Sequence, residues 1–218
     1  MILYFSRNIN PRLAVAAARH MNAPVSYEFA APFAPDQQEK FRKFNPSLRI
    51  PILVDGKTTL WEADAIACQL SEMTGTNFWR TGPLLHETVR WLSWGHNNFV
   101  RACDLIHFER VTKQRYGIGP IRPELVEDGM QLFEESAKQL DDHLGQQNWL
   151  IDGAVSYADF RMACFLPYAD LAGIPLRDYG NISRWNDRLM SLEFWRDPFE
   201  GLHAPELPEI KAERKWSG

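Results

Sequence analysis

The chain has 218 residues, of which 45% are hydrophobic and 24% charged, and its formal net charge is −4 at pH 7. These values are ordinary for a globular protein of one large or two small domains, and the negative charge disfavours a nucleic-acid partner, because phosphate binding requires a basic surface. No apolar run approaches the roughly 20 residues of a membrane span, and "MILYFSRNINPR" lacks the regions of a signal peptide. We therefore expect a cytoplasmic protein without nucleic-acid or membrane partners.

The cysteines and histidines do not form a metal-binding pattern. Cys68, Cys103 and Cys164 lie far apart and form no C-x-x-C motif, which excludes zinc knuckles and dithiol redox motifs of that type. We interpret them as buried small hydrophobic residues, which fits a reducing compartment. His96 and His107 are separated by three helical turns without an acidic residue at ligand spacing. We predict no metal.

The first part of the chain alternates strand and helix patterns. "MILYF" at 1–5 predicts a buried strand, and "RLAVAAARHM" from Arg12 predicts a helix. Asn10 is a good N-cap for this helix, and Pro11 fits its first position. "PVSYEFA" from Pro24 predicts a second strand, and "QQEKFRKFN" from Gln37 predicts a short helix.

Two further strands and a helix follow. "IPILVDG" and "KTTLW" predict strands joined at a turn of the Asp55-Gly56 type, and residues 62–73 have the pattern of an amphipathic helix. After "TGTNFWRTGP" only helical patterns occur, from Leu84 to about Phe194. We predict an α/β domain at 1–77, a linker at 78–84 and an all-α domain at 85–218.

Three stretches resemble motifs of the cytosolic glutathione transferases. "NPSLRIPILVDGKTTLWEADAI" resembles N-P-x-G-x-V-P-x-L followed by E-S-x-A-I, "GAVSYADF" resembles G-x-x-S-x-A-D, and "NISRWNDRL" resembles the tryptophan-bearing helix near the family's C-terminus. The resemblance implies an α/β thioredoxin-like domain followed by an all-α helical bundle, and a homodimer. It also implies that the box from Ser156 to Asp159 is structural.

The resemblance implies a glutathione site in the first domain. In the family, the proline that matches Pro51 is cis, and the backbone of the preceding residue, here Ile50, pairs with the cysteine of glutathione as an added strand would. Glu62 matches the residue that binds the α-ammonium group, and Arg49 takes the place of a basic residue that often reaches the bound peptide. At Ala63 the family has a serine for the γ-glutamyl carboxylate, so one hydroxyl donor is missing here, and modest affinity is expected.

At the position that activates the glutathione thiol, the sequence departs from the usual motif of the family. Many classes of the family place a serine or cysteine two residues before the proline of the first helix, but this chain has Ile9 there. "NINPRLA" is closer to a form in bacterial classes related to the nu class, in which an asparagine contacts the thiol. That asparagine matches Asn10, our first candidate, and Ser6 and Asn8 are reserves.

We expect the acceptor pocket between the two domains, along the first long helix of the second. Trp94, Asn98 and Arg101 recur there at three- and four-residue steps and form one polar stripe with an aromatic residue. The same stripe also fits a solvated face or a dimer interface.

Two functions of different classes remain open at this point. The first is a glutathione-dependent transferase whose thiolate attacks an electrophilic carbon, a peroxide or a disulfide, with isomerase, dehalogenase or lyase activity at the same site. The alternative is a binding or regulatory protein with the same fold that has lost catalysis, as Ile9 and Ala63 would allow.

Overall fold

The computed structural model describes residues 1–151 and 153–210. They divide into two compact units. The first comprises Met1–Gly82 together with Leu189–Leu207, and the second contains Pro83–Arg188. The first unit thus includes a C-terminal segment that we had assigned to the helical domain of 85–218, because this segment packs against the first helix of the chain. Residues 211–218 of that predicted domain lie outside the described residues.

The first unit contains a mixed four-stranded sheet in the order β2-β1-β3-β4, in which β1 is parallel to β2 and antiparallel to β3. Its elements in chain order are β1 (Ile2–Phe5), α1 (Ile9–His20), β2 (Ser26–Phe29), α2 (Gln38–Phe44), β3 (Ile52–Asp55), β4 (Thr58–Trp61), α3 (Ala63–Thr74) and, after the second unit, α11 (Glu193–Arg196). The predicted order β-α-β-α-β-β-α is confirmed.

Strand β1 separates two layers of the first unit. Tyr4 faces a cluster that includes Phe41 and Phe44 of α2, with ring centroids 5.1 and 5.8 Å from its own. Its neighbours Leu3 and Phe5 point to the other face because side chains alternate along a strand, and both are fully buried. The centre of the sheet is therefore covered on both faces, whereas the edge strands β2 and β4 contain only exposed and half-buried residues.

The second unit is helical. Its elements are α4 (Leu85–Asn97), α5 (Phe99–His107), a π-helical turn (Phe108–Thr112), α6 (Lys113–Tyr116), α7 (Pro123–Leu144), α8 (Tyr157–Met162), α9 (Ala169–Ala172) and most of α10 (Gly180–Met190), with short 3₁₀ turns at Gly82–Leu84, Leu166–Tyr168 and Leu176–Asp178. None of the helices within the described residues is long and apolar enough to cross a membrane.

The single long helix that we expected after residue 90 is divided at Asn98. Asn98 has φ −129° and ψ −100°, far from helical values, and its side-chain amide donates to the Trp94 carbonyl oxygen at 2.8 Å. A side-chain amide that bonds the carbonyl four residues back competes with the helical backbone and favours such a break. The polar stripe therefore lies on two helices, α4 and α5.

The sequence box at the start of α8 is structural, as the resemblance implied. The Asp159 carboxylate is fully buried and accepts hydrogen bonds from the Ser156 N–H, the Ser156 hydroxyl and the Leu150 N–H, each at 2.9 Å. It also accepts one from the indole N–H of Trp185 at 3.0 Å. One carboxylate thus joins α8, α10 and the loop before α8.

Candidate functional site

The register of the sheet brings three predicted segments to one end of it. Tyr4 pairs with Ile52, and Ile52 pairs with Trp61. Because β3 is antiparallel to both of its neighbours, the ends of β1 and β4 lie beside the beginning of β3, and adjacent strands are about 4.8 Å apart. The segments that meet there are Ser6–Asn10, Arg49–Pro51 and Glu62–Ala63. We call this end of the sheet the candidate site.

A buried asparagine shapes the loop before β3. The Asn45 side-chain oxygen accepts from the N–H and the hydroxyl of Ser47, at 3.0 and 2.9 Å, and its amide donates to the Arg49 carbonyl oxygen at 2.9 Å. This last bond holds the peptide unit whose N–H belongs to Ile50. Our sequence analysis gave Asn45 no role, although an asparagine side chain commonly bonds the backbone N–H two residues further on, as it does here at Ser47.

The side chain of Ile50 is packed against the core, whereas its backbone lies outside the sheet. Its side chain packs against the buried cluster that contains Tyr4 and Ile52. The ladder begins at Ile52, and the backbone bonds of turns and loops among the described residues include none to Ile50. The Ile50–Pro51 peptide bond is cis, which confirms that expectation. An extended peptide could therefore add to the chain at Ile50.

The junction of β4 and α3 has an unusual backbone. Glu62 is exposed and has φ +73°, a value that non-glycine residues adopt at a cost on the order of 1–3 kcal/mol. It precedes Ala63, the first residue of α3, so the positive end of that helix lies beside the site. The Ala63 side chain is fully buried. The junction therefore offers a carboxylate and a helix N-terminus together.

The segment after β1 offers a hydroxyl and amides. Ser6 is buried, and its Oγ accepts from the N–H and the Nδ2 of Asn8, at 3.4 and 3.1 Å. These two bonds use the oxygen as acceptor, so the hydroxyl proton remains to be donated. Asn8 is exposed, is the N-cap of α1, and makes no side-chain capping bond.

Asn10 is not the N-cap that we predicted. Helix α1 begins at Ile9, and Asn8, with φ −68° and ψ 161°, is its N-cap. Asn10 is therefore an exposed residue in the first turn, and Pro11 is tolerated one position further on. The Asn10 amide remains on the helix end that faces the site, where the dipole favours a negative group.

The predicted acceptor residues lie in the second unit and are not all brought together there. Trp94 lines a cavity of about 280 Å³ with four other residues, namely Arg90, Trp91, Gln139 and His143. Asn98 and Arg101 do not line this cavity. Within it, the rings of Trp91 and His143 are 4.4 Å apart between centroids, and burial lowers the pKa of His143.

Within residues 1–151 and 153–210, no group of three or more histidine, cysteine, aspartate or glutamate residues is placed to hold a metal ion. The Ile50 backbone outside the ladder and the N-terminal end of α3 offer hydrogen bonds to a peptide and stabilisation of an anion.

Comparison with known proteins places the chain in a family. The N-terminal domain model of glutathione S-transferase matches residues 1–71, and the C-terminal domain model of the same family matches residues 123–204. Two curated relatives are dichloromethane dehalogenases. The one from Methylorubrum extorquens is 28% identical over 150 residues, which cover 61% of this chain and 52% of the relative. The one from Methylophilus leisingeri is 30% identical over 143 residues, which cover 63% and 49%.

The match thus spans about half the length of these curated relatives. Among solved structures, glutathione transferase F7 from Populus trichocarpa superposes with a TM-score of 0.82 at 18% identity, over 93% of this chain and 99% of that one. It supports the fold, a thioredoxin-like domain followed by helices. Since the two family models match both parts of the chain, the protein belongs to the glutathione S-transferase family.

Proposed function

We propose that this protein is a glutathione-dependent transferase whose site is the end of the sheet described above. The observation that carries the proposal is the register that aligns Tyr4, Ile52 and Trp61. This register supports the proposal because the Ile50 backbone, Glu62 before α3 and the segment Ser6–Asn10 all follow or precede strand ends at that edge.

In this proposal glutathione lies along the end of the sheet as an additional short strand. Its cysteine backbone pairs with the N–H and C=O of Ile50, beside Pro51. Its γ-glutamyl carboxylate binds at the N-terminus of α3, at the Ala63 N–H, and Glu62 binds its α-ammonium group. Arg49, which is exposed, reaches the peptide from the loop.

The reactive step takes place at the glutathione sulfur. A cysteine thiol has a pKa of roughly 8.5, and lowering it by two units requires about 2.7 kcal/mol. The N-terminal end of α1 and the Asn10 amide supply this stabilisation, with Ser6 and Asn8 as alternative donors. The thiolate attacks an electrophilic carbon, so that a sulfur–carbon bond forms and the leaving group departs with its electron pair.

The dehalogenase relatives point to a first electrophile to test. In both, the name gives dichloromethane as the substrate. For this chain we propose a carbon that bears a halide leaving group, with other electrophiles, peroxides and disulfides as further candidates. The three cysteines form no disulfide, which fits a protein that functions in a reducing cytoplasm.

The test of the proposed site is glutathione binding by calorimetry. Glu62→Gln should weaken binding about tenfold, because it removes the charge opposite the α-ammonium group. The matched control is Glu72→Gln, which removes the same charge from the exposed far end of α3. Equal affinities for the wild type and both variants would refute the assignment of Glu62.

Turnover separates the transferase from a binding protein with the same fold. The proposal predicts that the wild type releases halide from a haloalkane only when glutathione is present. Glutathione binding without formation of a thiolate or release of halide would favour the non-catalytic alternative, which Ile9 and Ala63 keep open.

A further inference from the structure

Arginines of α1 and of the loop before it contact the C-terminal part of the first unit. We call residues Leu189–Leu207, which include α11, the C-terminal strap. Three arginines bind backbone carbonyl oxygens of the strap: Arg12 that of Trp195, Arg19 those of Pro198 and Glu200, and Arg7 that of Ala204. Because carbonyl oxygens accept these bonds, the strap needs no particular side chain at those positions.

Arg7 is held on three sides by the strap. Its Nε donates to the Ala204 carbonyl oxygen at 2.8 Å, and its guanidinium forms an ion pair with the Glu206 carboxylate at 2.9 Å. The guanidinium carbon lies 5.0 Å from the centre of the Phe199 ring. Arginine can make such planar, forked and stacked contacts at once, and lysine cannot.

Arg7 is the second residue of Ser6–Asn10, the segment that activates the thiol in the proposed function. It separates Ser6 from Asn8, the two residues joined by the hydrogen bonds to Ser6 Oγ. Phe5, the residue before Ser6, stacks on Phe199 of the strap, with ring centroids 5.7 Å apart and planes at 14°. The strap therefore holds the backbone on both sides of Ser6.

We propose that Arg7 is a positioning residue, which fixes the Ser6–Asn10 turn against the C-terminal strap in the geometry that activates the thiol. This inference rests on the proposed function. It assigns Arg7 no contact with glutathione. The glutathione-binding groups at Ile50, Glu62 and Ala63 lie on other segments, so loss of the Arg7 contacts should act on the thiol and spare the binding of the peptide.

Arg19 provides a matched control. It also binds carbonyl oxygens of the strap, at 2.9 and 2.7 Å, but from the last turn of α1. Arg7→Gln and Arg19→Gln each remove the contacts of one arginine with the strap, and both should lower the melting temperature. Only Arg7→Gln removes a contact within the thiol-activating turn.

The experiment measures the pKa of bound glutathione, its dissociation constant and kcat in the full chain. Arg7→Gln should raise the pKa of the bound thiol by about one unit, which is a tenfold smaller ionisation constant, and lower kcat at neutral pH. The dissociation constant should stay within about twofold when it is measured at least about one unit below the wild-type pKa, where the bound thiol is protonated in both proteins. Arg19→Gln should leave all three unchanged. Glu206→Gln, an exposed change that does not threaten folding, should shift the pKa in the same direction by less.

Amide hydrogen exchange in the free protein decides the inference even if glutathione does not bind. Arg7→Gln should speed exchange in residues 6–10, and Arg19→Gln should not. Equal thiol pKa values for Arg7→Gln and the wild type, or equal shifts in the two arginine variants, would overturn the positioning role. Failure of the wild type to bind glutathione would instead refute the proposed function. If Arg7→Gln leaves the exchange rates of residues 6–10 unchanged, that result alone would overturn the inference.

Discussion

Ala63 is the residue at which the candidate site departs from the motif that the chain resembles. It is the first residue of α3 and is fully buried, directly after the strained backbone of Glu62. Only its N–H is left to meet a carboxylate. A serine in its place would add a hydroxyl donor, and a hydrogen bond to a charged group contributes about 1.5–3 kcal/mol.

The first prediction concerns this missing donor. Ala63→Ser should tighten glutathione binding roughly tenfold or more, because the hydroxyl adds a bond to the γ-glutamyl carboxylate. Calorimetry measures the effect, and Ala65→Ser, two residues along the same helix and half-buried, is the control. An Ala63→Ser variant with unchanged or weaker binding would mean that the γ-glutamyl group is held elsewhere.

His107 is a buried histidine outside the candidate site. Its Nδ1 is 3.3 Å from the Thr112 hydroxyl, and its Nε2 has no hydrogen-bond partner in the described part of the chain. Burial, with the nearby charge of Arg115, lowers the pKa of His107 to about 4. The folded protein therefore keeps this ring neutral under conditions in which the unfolded chain protonates it.

The second prediction follows from the sign of this shift. The unfolded chain gains a proton at His107 below about pH 6.5 and the folded protein only below about pH 4, so the free energy of unfolding falls as pH drops through that window. Between pH 7 and 5 this contribution is about 2 kcal/mol. His107→Gln should reduce the loss by that amount in urea unfolding, whereas His86→Gln, an exposed change, should not. Identical pH dependence in His107→Gln and the wild type would contradict the prediction.

At the scale of elements, the strands and helices that carry their own hydrophobic periodicity could be located from the sequence. The strands β1 and β3 and the helices α1 and α3 follow patterns that each segment carries alone. The N-cap of α1 was misplaced because Asn8 and Asn10 are both good capping residues and Pro11 fits more than one position of the first turn.

Features that depend on distant contacts could not be predicted. The strap binds Arg7 and Arg19 through backbone carbonyls, which leave no pattern in the sequence. In the candidate site, Pro51, Glu62 and Ala63 were found through the motif, and the register then brought them together. Asn45 holds the loop before β3 through three hydrogen bonds, and this role became visible only in the structure.

The third prediction concerns the buried carboxylate at the start of α8. Asp159→Ala leaves the donors of Leu150, Ser156 and Trp185 buried without their acceptor, and each such group costs about 1–3 kcal/mol. We expect the free energy of unfolding to fall by at least about 3 kcal/mol in urea titrations. The exposed Asp187→Ala in α10 is the control. A loss below about 1 kcal/mol for Asp159→Ala would show that the carboxylate does not join these elements.

At the scale of the whole molecule, the fourth prediction is a homodimer. Exposed apolar side chains occur in both units, including Trp61 and Met73 in the first and Leu85 and Val89 in the second. Two-fold dimers are the commonest oligomers, and such side chains are favoured at their interfaces. Sedimentation at micromolar concentration should give twice the chain mass of 25.2 kDa. A single-chain mass would contradict the prediction. The Val89→Lys variant should have a mean sedimenting mass closer to that of a single chain than the wild type has.

The most direct test of the account is the thiolate absorbance of bound glutathione against pH, in the wild type, Asn10→Asp and Ser6→Ala. In the wild type the pKa should lie about two units below the ordinary value of roughly 8.5. Asn10→Asp should raise it by about one to two units, because it replaces a donor with a negative charge, and should keep the melting temperature, since the first turn of a helix favours a carboxylate. A wild-type pKa near 8.5 would contradict thiol activation at this site, and an Asn10→Asp curve equal to the wild type with a shifted Ser6→Ala curve would contradict the assignment to Asn10.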